Sequence, residues 1–190
     1  GPYFTFLVSD GKSLKVIQNA KVIDEKTLAG KEVLAVRFDA LQNRFLILTK
    51  QSLETYSLKT KELQTVFQGK ELSCFDVTTG KIYIGTTNGY LILQSDSFKP
   101  LGEIQRKLPC TDLTTVAVVH GQVWFGSPLG AFMLRPDGGF NYYFSERWIP
   151  SNQVIHISAG EGQNVNLLTA KGLGEIHFQP MTLYDKALVY

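Results

Sequence analysis

The sequence repeats one pattern five times, at a period of about 40 residues. Each copy is marked by a Ser or Thr that ends a short run of apolar and β-branched residues, and successive markers are 40, 37, 41 and 42 residues apart. The five markers are Ser9, Thr49, Thr86, Ser127 and Thr169. A repeat of this length is typical of one blade of a β-propeller, a sheet of four antiparallel strands. The repeat therefore predicts an all-β propeller with about five four-stranded blades.

The residues within each copy support this interpretation. In the third copy, the segments LSCFDVT, KIYIGT, YLILQS and KPLGEIQ predict four strands, with a turn at Thr87-Asn88-Gly89. Second strands such as Ile82-Tyr83-Ile84 are apolar on both faces, as expected for a blade that lies between two others. Pro100 falls in the fourth strand, where it is tolerated because that strand forms the outer edge.

The first and last copies are incomplete, since one begins at its second strand and the other ends after its third. The sequence thus predicts 18 strands, with residues 1–180 forming the propeller and residues 181–190 a short C-terminal helix that Thr182 caps. Two arrangements fit: a five-bladed ring, or an arc of a larger propeller whose end faces need a cover. The ring is favoured because an arc with two open faces would tend to aggregate.

Composition and charge narrow the range of functions. A net charge of +2 gives no indication of nucleic-acid binding, and no apolar run reaches the roughly 18 residues needed for membrane insertion. Gly1-Pro2 resembles the remnant of a removed tag, so the localisation is left unknown. Cys74 and Cys110 are expected to be buried free thiols, with a disulfide as the alternative in an oxidising compartment.

No motif for catalysis or metal binding is recognisable. His120, His156 and His177 lack the spacing of paired metal ligands, and the sequence has no P-loop, nucleophile elbow or dinucleotide fingerprint. The stretches Asp10-Gly11 and Asp137-Gly138 are expected to be hairpin turns and not calcium loops. We therefore expect a protein that is not an enzyme and has no cofactor or metal.

Two blades carry a more specific pattern. The segments GKIYIGTTNGYLIL and GQVWFGSPLGAFML resemble the repeat of the two-component-regulator type of β-propeller, which is WD40-like. The segment from Tyr143 to Ala187, with its Trp-Ile-Pro and closing PMTLYDKA, resembles a subset of those proteins. The resemblance covers about Gly80 to Ala187. It implies an extracytoplasmic sensory or ligand-binding propeller, often attached to another domain.

Loops that join successive blades, together with the turns between second and third strands, form one face of a propeller, and binding often occurs there. Trp148 lies in such a loop. Next to Pro150, it either fills the space between two blades or offers a surface on which a ligand stacks. Arg147 is suited to bind a carboxylate or sulfate with two hydrogen bonds.

Basic residues recur in the loops of this face and predict a positively charged rim that attracts an anionic small ligand or an acidic protein partner. The alternative is a rim of mixed charge, because Glu32, Glu71, Asp112 and Glu146 lie beside them. The candidate binding residues are Lys31, Lys70, Lys107 (with Arg106), Arg147, Trp148 and Asn152, and the turns add Lys12, Lys50 and Lys171.

Two functions remain open at this stage. The first is a non-catalytic binding or sensory module that recognises a ligand or protein partner on the loop face. The second is a scaffold that associates through its open blade edges, either as a homodimer or by strand addition from a partner.

Overall fold

The computed structural model describes residues 5–11, 13–28, 30–145, 147–178 and 187. These residues contain 17 strands in five antiparallel sheets, and within each sheet the strands follow the order of the chain. Ala187 is helical. The rest of the predicted tail at 181–190, including Thr182, lies outside the described residues.

The strands of each sheet form a meander, in which hairpin turns join neighbours. The first two sheets contain β1 (Thr5–Ser9), β2 (Ser13–Gln18) and β3 (Lys21–Thr27), then β4 (Val33–Asp39), β5 (Arg44–Thr49), β6 (Ser52–Ser57) and β7 (Leu63–Gln68). The third and fourth contain β8 (Leu72–Thr78), β9 (Lys81–Thr86) and β10 (Gly89–Gln94), then β11 (Thr115–Val119), β12 (Gln122–Ser127), β13 (Gly130–Leu134) and β14 (Phe140–Tyr143). The fifth contains β15 (Val154–Ala159), β16 (Val165–Thr169) and β17 (Gly172–Ile176).

The third sheet corrects one prediction. The segment KPLGEIQ does not form a fourth strand, and only two isolated bridges join it to β10, between Pro100 and Leu93 and between Gln105 and Tyr90. Gly102, between the two bridges, has a φ of 99°, which interrupts the extended backbone. The described residues therefore contain one strand fewer than expected.

Four apolar clusters fill the four spaces between successive sheets. Side chains of β5 point in alternation to the cluster shared with the first sheet, as Ile47 does, and to the cluster shared with the third sheet, as Leu48 does. In β12, Phe125 packs towards the third sheet and Trp124 towards the fifth. This explains why the second strands are apolar on both faces, because each inner sheet is buried on both sides.

The marker residue of each copy has the same role in all five sheets. Its side-chain hydroxyl accepts a hydrogen bond from the backbone N–H two residues later and donates one to a carbonyl at the start of the next strand. For Ser127 these partners are Leu129 N at 3.2 Å and Gly130 O at 2.8 Å. Ser9, Thr49, Thr86 and Thr169 form the equivalent pairs. The repeated Ser or Thr therefore supplies the hydroxyl that fixes each turn between second and third strands.

Solvent reaches the outward faces of the first and last sheets. Phe6 is 57% exposed on β1, and Leu168 and Leu173 are 42% and 65% exposed on the fifth sheet. Leu48, which like Leu168 precedes the marker residue of its copy, is 0% exposed in the second sheet. Within the described residues these two end faces are not buried against each other, so the closed five-bladed ring is not confirmed.

Both cysteines are free; Cys74 is buried, as predicted, whereas Cys110 is half-buried. Burial raises the pKa of the Cys74 thiol to about 12, so this group is protonated and unreactive near neutral pH.

Among the described residues, no helix is long and apolar enough to cross a membrane.

Candidate binding surface

The turns between second and third strands and the connections between sheets lie at one edge of the stack, as predicted. Backbone hydrogen bonds join turns to connections, for example from Leu72 N to Lys50 O at 3.0 Å and from Leu113 N to Thr86 O at 3.0 Å. Ala170 N donates to Gln153 O at 2.9 Å in the fifth sheet. Because the marker hydroxyls also fix the turns, this loop edge is a rigid scaffold for side chains.

The predicted positive rim is partly neutralised. Lys31 Nζ lies 2.5 Å from the Glu54 carboxylate and 3.2 Å from Ser52 Oγ, and Lys50 Nζ lies 3.7 Å from the carboxylate of Glu32. Lys31 and Lys70 line one cavity of about 520 Å³ together with Gln51, Ser52, Gln68, Gly69 and Glu71. Lys70 and Lys107 are exposed, and Lys107 does not line this cavity. At Lys31 and Lys50 the structure therefore has the mixed-charge arrangement.

Glu54 lies at the centre of a polar network that includes Lys31 and Ser52, two of the residues that line that cavity. Its side chain is 3% exposed and accepts hydrogen bonds from Lys31, from Ser52 Oγ at 2.8 Å and from Thr65 Oγ1 at 2.6 Å. Burial acts to raise the pKa of the Glu54 carboxyl, but these hydrogen bonds and the charge of Lys31 outweigh it, so the pKa lies below its ordinary value. Lys31 is consequently a structural partner of Glu54 and not a free cation.

Arg147 and Trp148 form the exposed part of the loop between the fourth and fifth sheets. The Arg147 guanidinium carbon lies 5.4 Å from the centre of a Trp148 ring, and Trp148 is 54% exposed. Asn152 Oδ1 accepts a hydrogen bond from Ser145 N at 2.6 Å, which ties the loop across its base. Ile149, at 2% exposed, is the side chain that fills the space between the blades. Of the two predicted interpretations of Trp148, its exposure favours the binding surface.

Exposed apolar side chains also occur in the turn between β12 and β13 and just after β14, and the sequence analysis missed them. Leu129, in the turn of the fourth sheet, is 56% exposed, and Phe144, just after β14, is 48% exposed. The Tyr142 ring stacks on Phe144 at 4.6 Å, and its hydroxyl donates to Leu129 O at 2.5 Å. We call Leu129, Tyr142, Phe144, Arg147 and Trp148 the Trp148 patch. The sequence did contain a signal for these exposed residues, because large apolar residues occur in the turn SPLG and at the end of the segment FNYYF.

A second cavity lies beside this patch and has a volume of about 430 Å³. It is lined by Pro128, Ser145, Ser151, Asn152, Gln153 and Lys171. The structure thus separates the predicted site residues. Lys31 and Lys70 line the first cavity, Asn152 lines the second in the same loop as Arg147 and Trp148, and Lys107 lines neither.

Comparisons with known proteins establish the fold. No family model matches the sequence, and no curated protein matches it. Among solved structures, the WD40 β-propeller domain of Doa1 is 10% identical, with 92% of this chain matching 63% of that chain at a TM-score of 0.69. The chain therefore has a β-propeller fold.

Two other structures agree with this result. The extracellular domain assigned to the one-component system BT4673 of B. thetaiotaomicron is 12% identical, with a TM-score of 0.76. BamB from Moraxella catarrhalis is 12% identical, with a TM-score of 0.65. The matches cover 94% and 90% of this chain, but only 27% of the BT4673 chain and 53% of the BamB chain. This chain therefore spans about a quarter of the length of the BT4673 domain.

Proposed function

We propose that this chain is a non-catalytic binding module that uses the Trp148 patch to recognise a segment of a partner protein. The main support for this proposal is the position of Trp148, which is half exposed at a rigid loop edge with Arg147 beside it. Trp, Tyr and Arg are the residues that most often dominate the binding energy of protein interfaces. An extracellular domain assigned to a one-component or hybrid two-component system, BT4673, has a similar fold, which supports a sensory role.

The chemistry of the patch indicates what it would bind. Leu129, Phe144 and Trp148 provide apolar area for one large apolar side chain, and Arg147 provides paired donors for a neighbouring carboxylate. The cavity lined by Asn152 and Lys171 leaves room for the segment to continue along the edge. The expected partner is therefore a peptide segment with an apolar or aromatic residue close to an Asp or Glu.

Peptide selection tests this proposal. A displayed peptide library is selected against the wild-type protein, and the affinities of selected peptides are measured on variants. Trp148→Ala should weaken binding at least about tenfold, as expected for a central interface residue, and Arg147→Gln should weaken only the peptides that contain an acidic residue. Leu101→Ala is the matched control, because Leu101 is 43% exposed outside the patch. Peptides that bind the Trp148→Ala variant as well as the wild type would overturn the proposal.

The open end faces favour a second candidate function, in which the protein is a scaffold that associates through its first and last blades. Val8 and Phe6 on β1, and Leu168 and Leu173 on the fifth sheet, leave apolar area uncovered at both ends of the stack. Exposed sheet faces and edges are frequent sites of association. A homodimer or a partner that covers an end face would bury these side chains, and the mass of the protein in solution distinguishes this function from the first.

A further inference from the structure

The first strands of four successive sheets line a concave wall on the inner side of the stack. Strand β4 packs against β8, β8 against β11, and β11 against β15. A cavity of about 250 Å³ opens on this wall, and residues of all four sheets line it. At about 30 Å³ per water molecule, the cavity has room for roughly eight waters or one small organic molecule. It is separate from the Trp148 patch, and none of the patch residues lines it.

Arg37 is the charged group in this cavity, and its position is fixed by three neighbours. Its Nε donates to Asp76 Oδ1 at 3.1 Å and its Nη1 donates to Val36 O at 3.0 Å. Its guanidinium carbon lies 5.9 Å from the centre of the Phe75 ring. Asp76 is itself held by the backbone of the fourth sheet, because its Oδ2 accepts a hydrogen bond from Val118 N at 2.7 Å. Side chains and backbone from three sheets therefore orient one guanidinium group.

The remaining donors of Arg37 are available to a ligand. A guanidinium has five N–H groups, and only Nε and Nη1 have an acceptor within the part of the chain that the structure describes. The Arg37 side chain is 34% exposed and lines the cavity. An arginine that is fixed in place and has free N–H groups on one side is suited to a planar carboxylate, which accepts two parallel hydrogen bonds.

Other residues of the wall match a small ligand of this kind. Ser73 and His156 add polar groups from the third and fifth sheets, whereas Leu34, Ala35 and Ile155 add apolar area. Among the residues that the structure describes, the Ser73 hydroxyl has one polar contact, 3.5 Å from Cys74 Sγ, which is a weak hydrogen bond. A concave and partly apolar site with a few oriented polar groups is the usual form of a small-molecule site.

We propose that this cavity binds a small molecule with a carboxylate group, which Arg37 holds while Ser73 and His156 contact the remainder. The wall of Leu34, Ala35 and Ile155 then packs against the carbon chain of the ligand. Because no residue of this site belongs to the Trp148 patch, the two sites can be tested independently.

The test is an NMR titration of the full chain with succinate, using a ¹⁵N-labelled sample and matched ionic strength. We expect saturable shifts at the amides of Ser73, Thr115 and Ile155. Arg37→Gln and Ser73→Leu should each weaken succinate binding about tenfold, the first through loss of a charge-assisted hydrogen bond and the second by filling the cavity. Lys15→Gln is the matched control, since it also removes one cation but from an ion pair with Glu25 on the first sheet, and it should leave the affinity unchanged.

The expected results exclude simpler explanations. Succinamide, which has the same carbon skeleton without charge, should produce no saturable shifts at these amides. Shifts that do not saturate, shifts of the same size with sodium chloride, or full affinity in the Ser73→Leu variant would each overturn the proposal. The Ser73→Leu variant keeps the Arg37–Asp76 pair, so it decides the outcome even where Arg37→Gln lowers the stability of the fold.

Discussion

At the scale of single residues, the most informative group is Glu54. Its carboxylate is nearly removed from solvent, yet both oxygens accept hydrogen bonds: Oε1 from Lys31, before β4, and from Ser52 on β6, and Oε2 from Thr65 on β7. A buried charge is tolerated only when it is paired and hydrogen bonded. The network therefore links the connection at Lys31 to the outer strands of the second sheet, and two of its members, Lys31 and Ser52, line the first cavity.

Replacing Glu54 tests this network. Glu54→Gln leaves Lys31 without its counter-charge and weakens two hydrogen bonds, so we expect a loss of about 1–3 kcal/mol in the free energy of unfolding at pH 7. Urea denaturation followed by circular dichroism measures this loss. Glu62→Gln is the control, because Glu62 is exposed, and it should have an effect within about 0.5 kcal/mol.

The pH dependence of stability follows from the same group. The pKa of Glu54 is lower in the folded protein than in the unfolded chain, where it is about 4.3, so its ionised form stabilises the fold above that pH. This stabilisation is lost as the pH falls through the folded pKa. The difference between the wild type and Glu54→Gln should therefore become smaller as denaturation is repeated from pH 6 to pH 3. A difference that stays constant over this range would show that ionisation of Glu54 does not contribute.

At the scale of elements, the marker hydroxyls connect the repeat to the loop edge. Ser127 is fully buried and hydrogen bonds to the backbone at both ends of the turn between β12 and β13. This turn carries Leu129 of the Trp148 patch. The residue that reveals the repeat in the sequence thus also positions the candidate binding surface.

Ser127→Ala should destabilise the protein by about 1–2 kcal/mol, because it leaves Gly130 O and Leu129 N without their partner. The change should also increase hydrogen exchange at Leu129 more than at strand amides far from this turn. Ser158→Ala, an exposed position in β15, is the control and should change neither quantity. Equal exchange at Leu129 in the variant and the wild type would contradict the proposed role of the hydroxyl.

The comparison between sequence and structure is also clearest at this scale. Strands and turns could be predicted because the alternation of apolar residues and the marker hydroxyls are local signals. The missing fourth strand of the third sheet was not predicted, since Gly102 interrupts a segment whose other residues suit a strand. The pairing of Lys31 with Glu54 joins residues 23 apart in sequence, and the exposure of Trp148 depends on Ile149 occupying the interior position. Such contacts depend on tertiary packing, which cannot be predicted from the periodicity of apolar residues in the sequence.

At the scale of the whole molecule, the end faces of the stack determine how the protein behaves in solution. The inner sheets bury both faces, whereas the first and last sheets each leave apolar side chains exposed. Uncovered apolar area on a sheet is a site of association. The second candidate function and the stability of the isolated chain both depend on what covers these faces.

We expect self-association that increases with protein concentration, and a Leu168→Lys/Leu173→Lys double variant that remains closer to the monomer mass of 21.2 kDa. Light scattering after gel filtration measures the mass. Leu41→Lys is the control, because Leu41 is 65% exposed in a turn of the second sheet, and it should not change the association. A wild-type protein that is monomeric at every concentration would mean that these faces do not drive association.

The central claim is that the loop edge presents Trp148 to a partner, and tryptophan fluorescence tests it most directly. The chain has two tryptophans, of which Trp124 is 0% exposed and Trp148 is 54% exposed. We expect iodide to quench only the Trp148 emission, Trp148→Phe to abolish that quenching, and a peptide selected on the wild type to protect Trp148 from iodide. Quenching that persists in the Trp148→Phe variant, or a tightly bound peptide that leaves the quenching of Trp148 unchanged, would contradict the account.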